Sequence, residues 1–201
     1  MMPVIKTFSQ ACENNKLPIL NIISQVFIQS TTVWEIGSGT GQHACFFASQ
    51  LPHLSWQATD RIEKLAGIQA WIAEANLPNL KPPLALDIND RSWPCQSIDA
   101  LFSANTLHII SMVEVETLFD RLSQYLNPDG LVCCYGPFNY AGQYTSDSNA
   151  RFDQWLKAQN PLSGIRDFES ICQLAACIGL NLLNDHAMPA NNRLLVFQKS
   201  P

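Results

Sequence analysis

Three glycines and one acid crowd the stretch VWEIGSGTGQH at positions 33–43. Glycines there let the backbone turn sharply and come close to a ligand. Their spacing departs from the dinucleotide fingerprint G-x-G-x-x-G. Gln42 stands at its last position and Gly41 falls one place early. Glu35, just before the loop, would repel a pyrophosphate and attract an ammonium or a sulfonium. Asp60 follows at roughly the ~20-residue interval from which an acid accepts hydrogen bonds from ribose hydroxyls. Asp87, expected at the end of a third strand, can accept from an adenine amino group. The loop and its acids therefore suit a ligand that is cationic at one end and a nucleoside at the other. The alternative is a tight turn with the acids as helix N-caps, where Asp90 competes with Asp87.

S-adenosylmethionine is the cofactor with that chemistry. Its expected contacts are Glu35, Gly37, Ser38, Gly39, Gly41, Asp60, Arg61, Asp87, Ile88 and Asn105. Methyl transfer from a sulfonium is an in-line displacement. The cofactor supplies the reactive group; the protein aligns the acceptor and, where needed, removes a proton. Asn105 and His108, just past a fourth strand, and Tyr135, ending a fifth, form the expected catalytic set. His108 is the candidate base, or else caps or packs under the next helix. Ser103-Ala104-Asn105-Thr106 is not the N-P-P-Y type used on exocyclic base amines, which disfavours DNA adenine as acceptor. Asn149 and Asp153 share a helical face, Arg166 and Asp167 follow in a short loop, and Asn191 and Asn192 precede the last strand. Asn149, Asp153, Arg166, Asn191 and Asn192 form an expected substrate lid, with Arg166 able to clamp a carboxylate. Their other reading is structural: an Asp153–Arg166 salt bridge, and Asn192 as a turn residue. His43 reads as packing or capping. The five tryptophans read mostly as core, with Trp93 a possible border to the adenine.

Alternating elements must carry these residues. Ile19, Ile22, Ile23, Val26 and Phe27 mark one face of a helix, with Pro18 in its first turn. Strands follow at 32–37, at 54–60, to Asp87, and at 97–105, with helices at 41–51 and 61–76 between them. A helix at 112–126 ends at Asn127-Pro128-Asp129-Gly130. The apolar run 131–138 reads as a central strand. Helices at 148–159 and 167–178 lead to two closing strands with no helix between them, hence antiparallel. The fold class is α/β: a doubly wound, mostly parallel seven-stranded sheet with an antiparallel last strand. One domain is expected over 1–201, with an N-terminal helical segment over 1–30.

Bulk composition narrows the partners. The formal net charge is −5 and the 12 Lys and Arg are scattered, which disfavours a nucleic-acid surface. Charged residues are 14% of the chain, sparse enough to suggest a homo-oligomer face. The seven cysteines contain no C-x-x-C and no zinc spacing, so no metal is expected and the thiols read as reduced. No secretory signal and no apolar run of ~18 residues is present, and a cytoplasmic protein is expected.

At these residues the chain resembles the class I S-adenosylmethionine-dependent methyltransferases. More narrowly, it resembles the methyltransferase-like protein twenty-six family, from about Asn14 to Gln198. The stretches that carry this are EIGSGTGQH at 35–43, SANTLHII at 103–110, YGPF at 135–138, SNARFD at 148–153, GIRD at 164–167 and MPANN at 188–192. Gly37-Ser38 replaces a common Ala-Ser, and Glu13-Asn14 a common Arg-Asn. The resemblance implies a Rossmann-like methyltransferase fold and S-adenosylmethionine as cofactor, and names no acceptor. The leading expectation is in-line methyl transfer to a small molecule. A non-catalytic cofactor-binding or interaction module is the alternative. A nicotinamide oxidoreductase is a third reading, opposed by the displaced glycine.

Overall fold

A computed structural model describes residues 6–201. The first five residues of the expected N-terminal helical segment lie outside the described residues. The chain gathers into two compact units that divide between Ser103 and Ala104.

In the first unit, helix α1 spans Gln10–Val26, and the Ser9 hydroxyl caps it by accepting from the Cys12 N–H. The helix begins well before Pro18, which sits inside it rather than in its first turn. Apolar spacing marks only the second half, where Ile19 and Ile23 are buried. The true start lies in a capping serine. Strands β1 (Thr32–Ile36), β2 (Ser55–Asp60), β3 (Leu80–Ala85) and β4 (Ile98–Ala104) are parallel where they pair. Helices α2 (Gln42–Gln50) and α3 (Leu65–Ala75) connect the first three. Phe47, Trp56 and Phe102 fill the core, with ring centroids 5.3–5.8 Å apart. Asp87 lies two residues beyond β3, whose last residue is Ala85.

The second unit carries α4 (Met112–Tyr125), started by a reciprocal capping box of Ser111 and Glu114. Strand β5 (Leu126–Gly136) pairs antiparallel with β9 (Asn192–Lys199), which pairs antiparallel with β8 (Leu180–Met188). This confirms the closing hairpin expected from two strands with no helix between them. Its turn places Ala190 and Asn191 at φ +56° and +57°, in left-handed backbone. Helices α5 (Asp147–Gln159) and α6 (Phe168–Cys177) complete the unit, with a short parallel pair, β6 (Phe138–Asn139) and β7 (Arg166–Asp167). Arg166 and Asp167 are thus strand residues and not loop residues. Trp155 is 57% exposed and is not core.

The seven-stranded sheet runs in the order β3-β2-β1-β4-β5-β9-β8. Strand order reverses at β1 and β4, the place where open α/β sheets receive ligands at their carboxyl ends. No helix among the described residues is long and apolar enough to cross a membrane.

Candidate cofactor and acceptor sites

In the first unit the loop after β1 is knitted to the end of β2. The Gly37 and Ser38 N–H groups both donate to the Thr59 carbonyl, at 3.1 and 3.0 Å. The Thr59 hydroxyl donates to the Glu35 carbonyl at 2.7 Å, and the Ser38 hydroxyl accepts from the Thr59 N–H. Gly39 then donates its N–H to Asp60 Oδ2 at 2.7 Å, while Arg61 N–H donates to Oδ1 at 2.8 Å. Gly37, Gly39 and Gly41 all have positive φ. A Cβ at Gly39 would meet no atom within 4 Å, so bare backbone faces open space there. At Gly41, the N-cap of α2, a Cβ would lie 3.1 Å from Ile68 Cγ2. The third glycine therefore serves close packing against α3.

Glu35 and Asp60 differ sharply in setting. Asp60 is half-buried at a strand end. Glu35 is 1% exposed, and its Oε2 accepts from Trp56 Nε1 at 2.9 Å. Burial pushes its carboxyl up to about 7, with the charge of Asp60 adding, against the hydrogen bonds from Trp56 and Ser38. Glu35 was expected to touch the cofactor. Its side chain is instead enclosed, with Trp56, which pairs with Val33 and so lies diagonally across on β2, donating to the carboxylate. Asp87 Oδ1 accepts from Asn89 N–H at 2.8 Å, and Asp90 Oδ2 accepts from the Asp87 N–H at 3.2 Å. Asp90 thus competes as a cap of this turn. Ile88 is buried, and Arg61 is exposed with its guanidinium against Glu63.

Helix α1 closes on this loop by contacts the sequence did not advertise. Gln42 is 4% exposed. Its Oε1 accepts from the Ser9 N–H at 2.6 Å, and its amide donates to Glu13 Oε1 at 2.9 Å. His43 is buried against Phe47 and bonds Asn15 at 2.7 Å, so its reading as packing holds. The one sequence signal was a glutamine standing at the fingerprint's last glycine position.

In the second unit Asn105 adopts φ +56°, and its N–H donates to the Tyr135 carbonyl at 2.8 Å. Tyr135 is buried. The His108 ring is buried, 5.3 Å from Phe152. Burial pulls its pKa down to about 4, with the Arg166 charge adding. Asn105, His108 and Tyr135 therefore do cluster within this unit, since His108 Nδ1 lies 3.4 Å from the position of a Cβ on Gly136.

The expected lid residues are already engaged. Arg166 donates through Nε to the Leu107 carbonyl at 2.9 Å and through Nη2 to the carbonyls of Ile110 and Leu162. It clamps backbone rather than a substrate carboxylate, because three carbonyls converge on its fork. Asp153, 1% exposed, accepts from Tyr144 Oη at 2.6 Å, Lys157 Nζ at 2.6 Å and the Ile165 N–H at 2.7 Å. Its ion-pair partner is Lys157, not Arg166. Burial alone would raise its carboxyl, and these donors bring it below the usual range. Asn149 donates to Thr145 Oγ1 at 2.9 Å and to the Asn191 carbonyl at 3.1 Å. Asn191 donates weakly to Ser148, and Asn192 to the Pro189 carbonyl. Asn149 and Asn191 thus meet across α5 and the hairpin, while Asn192 braces its own turn.

Solved structures share this fold. An O-methyltransferase family protein from Burkholderia thailandensis is 17% identical with a TM-score of 0.82, over 94% of this chain and 57% of that one. The S-adenosylmethionine-dependent methyltransferase SibL is 21% identical with a TM-score of 0.80, over 95% and 56%. A putative O-methyltransferase from Nostoc punctiforme PCC 73102 is 16% identical with a TM-score of 0.79, over 94% and 58%. This chain spans a little over half the length of each. At these identities the likeness is one of fold. The family described as Protein of unknown function (DUF938) matches residues 6–199. On that match, which runs through both units, the chain belongs to the DUF938 family.

Proposed function

We propose that this protein binds S-adenosylmethionine and transfers its methyl group to a small-molecule acceptor. One observation carries the reading: bare backbone at Gly39, facing open space, is held by hydrogen bond to a half-exposed Asp60 at the carboxyl end of β2. Such a cradle admits a nucleoside, and Asp60 retains lone pairs for ribose hydroxyls. Glu35 precedes the loop with its carboxyl buried and its pKa raised to about 7, so a cationic ligand nearby would draw it towards its ionised form through the field rather than by contact. The structurally similar SibL, an S-adenosylmethionine-dependent methyltransferase, supports the same cofactor.

The residues fit that group on the cofactor side. Gly37, Ser38, Gly39, Gly41 and Asp60 would hold it, with Arg61, Asp87 and Ile88 flanking the nucleoside. When bound, it supplies an electrophilic methyl carbon. On the acceptor side, Asn105, His108 and Tyr135 would orient the nucleophile. His108 is neutral at pH 7 and so able to accept a proton, yet burial makes it a weak base. Positioning is therefore assigned the larger role. The resemblance to the methyltransferase-like protein twenty-six family fits this reading, and one domain over both units fits the single family match. The free cysteines and the lack of a long apolar helix among the described residues fit a protein of the reducing cytoplasm.

Calorimetry with S-adenosylmethionine tests the proposal directly. Asp60→Ala is expected to weaken binding by about 1.5–3 kcal/mol, the scale of a hydrogen bond to a charged group. Wild-type protein that takes up no cofactor at millimolar concentration would sink the reading.

A further inference from the structure

Within the first unit, Gln42 is the meeting point of helix α1 and the glycine loop. It is 4% exposed, and both polar atoms of its side chain are bonded. Oε1 accepts from the Ser9 N–H at 2.6 Å and from the Thr40 hydroxyl at 3.1 Å. Nε2 donates to Glu13 Oε1 at 2.9 Å and to the Ser9 carbonyl at 3.4 Å. A buried amide needs such partners. Gln42 therefore stays buried at low cost only while α1 sits beside it and Thr40 faces it.

The two sides that it joins are held differently. Gly37, Ser38 and Gly39 are pinned to Thr59 and Asp60 at the end of β2. Thr40, the next residue, turns its hydroxyl to Gln42. None of residues 6–13 is buried. They lie on the unit through polar contacts: Lys6 with Glu74 at 2.6 Å, the Thr7 carbonyl accepting from Trp71 Nε1 at 2.8 Å, and the bonds to Gln42. A segment held this way, with little apolar surface buried, opens more readily than the core.

We propose that Gln42 is a positioning residue through which the seating of residues 6–13 and cofactor binding at the glycine loop favour each other. This rests on the methyl-transfer reading for the identity of the ligand alone. When the segment lifts, Ser9 and Glu13 leave Gln42, the amide turns out to water, and Thr40 loses its acceptor beside the bare backbone of Gly39. A ligand that fixes Gly39 and Thr40 keeps Gln42 in place and so holds the segment down.

Hydrogen exchange of the full chain, followed by NMR with and without S-adenosylmethionine, tests this at one amide. The Ser9 N–H has its acceptor on Gln42, so its exchange reports the lifting of the segment. Saturating cofactor is expected to slow it about tenfold. Gln42→Leu removes the side-chain bonds and should free the Ser9 amide. It should also weaken cofactor binding by that same factor, since coupling between two equilibria is reciprocal. Gln42→Glu sets a second carboxylate against Glu13 and should open the segment in the same way. Adding Glu13→Gln to it supplies the amide donor from the other side, and should restore both slow Ser9 exchange and cofactor affinity. A merely structural glutamine would lower the melting temperature of Gln42→Leu but leave the folded protein's affinity, and the response of Ser9 to cofactor, untouched. The wild-type measurement needs no substitution, so a variant that fails to fold does not shelter the proposal. Ser9 exchange indifferent to bound cofactor, unchanged affinity in folded Gln42→Leu, or no recovery in the double variant each overturns it. Calorimetry on the same samples keeps the two ideas apart. Cofactor uptake without coupling removes this inference alone, and no uptake at all removes the methyl-transfer reading with it.

Discussion

Glu35 holds a proton that most carboxyls would have lost. Its folded pKa of about 7 lies above the reference 4.5, so between those values the folded chain binds a proton that the unfolded chain releases. Stability from this group is full below the unfolded value and is lost as pH rises through about 7. The loss amounts to about 3 kcal/mol by the usual conversion. His43 and His108 act in the opposite direction. Burial pulls both to about 4, so their contribution is full above the unfolded value and is lost as pH falls towards 4. Glu35→Gln should therefore raise the denaturant midpoint over wild type at pH 8 and leave it nearly unchanged near pH 4. Parallel stability curves for the two proteins would exclude this account. The glycine loop and its acids were legible as residues, because their spacing is a property of the chain itself. The enclosure of Glu35 was not, since it depends on Trp56, which only the β1–β2 pairing brings diagonally within hydrogen-bond reach.

Helix α5 is anchored through one buried atom group. The Asp153 carboxylate joins Lys157 on its own helix, Tyr144 ahead of it and the Ile165 N–H beyond it. Gly164 has no room for more: a Cβ there would sit 3.0 Å from Asp153 Oδ1 and Lys157 Cε. Asp153→Ala leaves the buried Ile165 N–H and the Tyr144 hydroxyl without their acceptor. It should destabilise the protein by roughly 2–4 kcal/mol, read as a shift in denaturant midpoint at constant slope. A change within 0.5 kcal/mol would show that water replaces the carboxylate at no cost. The Asp153–Lys157 pair was readable from i, i+4 spacing. The Arg166 clamp was not, since its partners Leu107 and Ile110 lie more than fifty positions away. Nor were β6 and β7, because two-residue strands carry no period.

Charge acts over the whole molecule. The chain carries a net −5. Lys6, Lys16, Arg61, Lys157 and Arg193 are each paired with an acid, and Lys199 is turned onto backbone carbonyls. The other cations are scattered along a chain of net negative charge, which opposes binding to a phosphate chain. Fluorescence anisotropy with duplex DNA or structured RNA should show no binding at physiological salt. Affinity tighter than the ~10⁻⁴–10⁻⁶ M of non-specific contacts would contradict a small-molecule acceptor. At this scale the sequence was most informative. Strands alternating with helices implied the parallel part of the sheet, and the missing helix before β9 implied the antiparallel end. The start of α1 escaped because apolar periodicity begins only at Ile19, while Ser9 starts the helix by hydrogen bonding.

The hairpin between β8 and β9 bends through a methyl-bearing residue where none is welcome. Ala190 sits at φ +56°, a conformation that costs an L-residue with a side chain roughly 1–2 kcal/mol. Asn149 grips the next residue's carbonyl, so the bend is fastened to α5 and cannot relax on its own. Ala190→Gly should release that tension and raise the melting temperature by a few degrees, a margin that could offset the losses from substitutions made elsewhere to probe the chemistry.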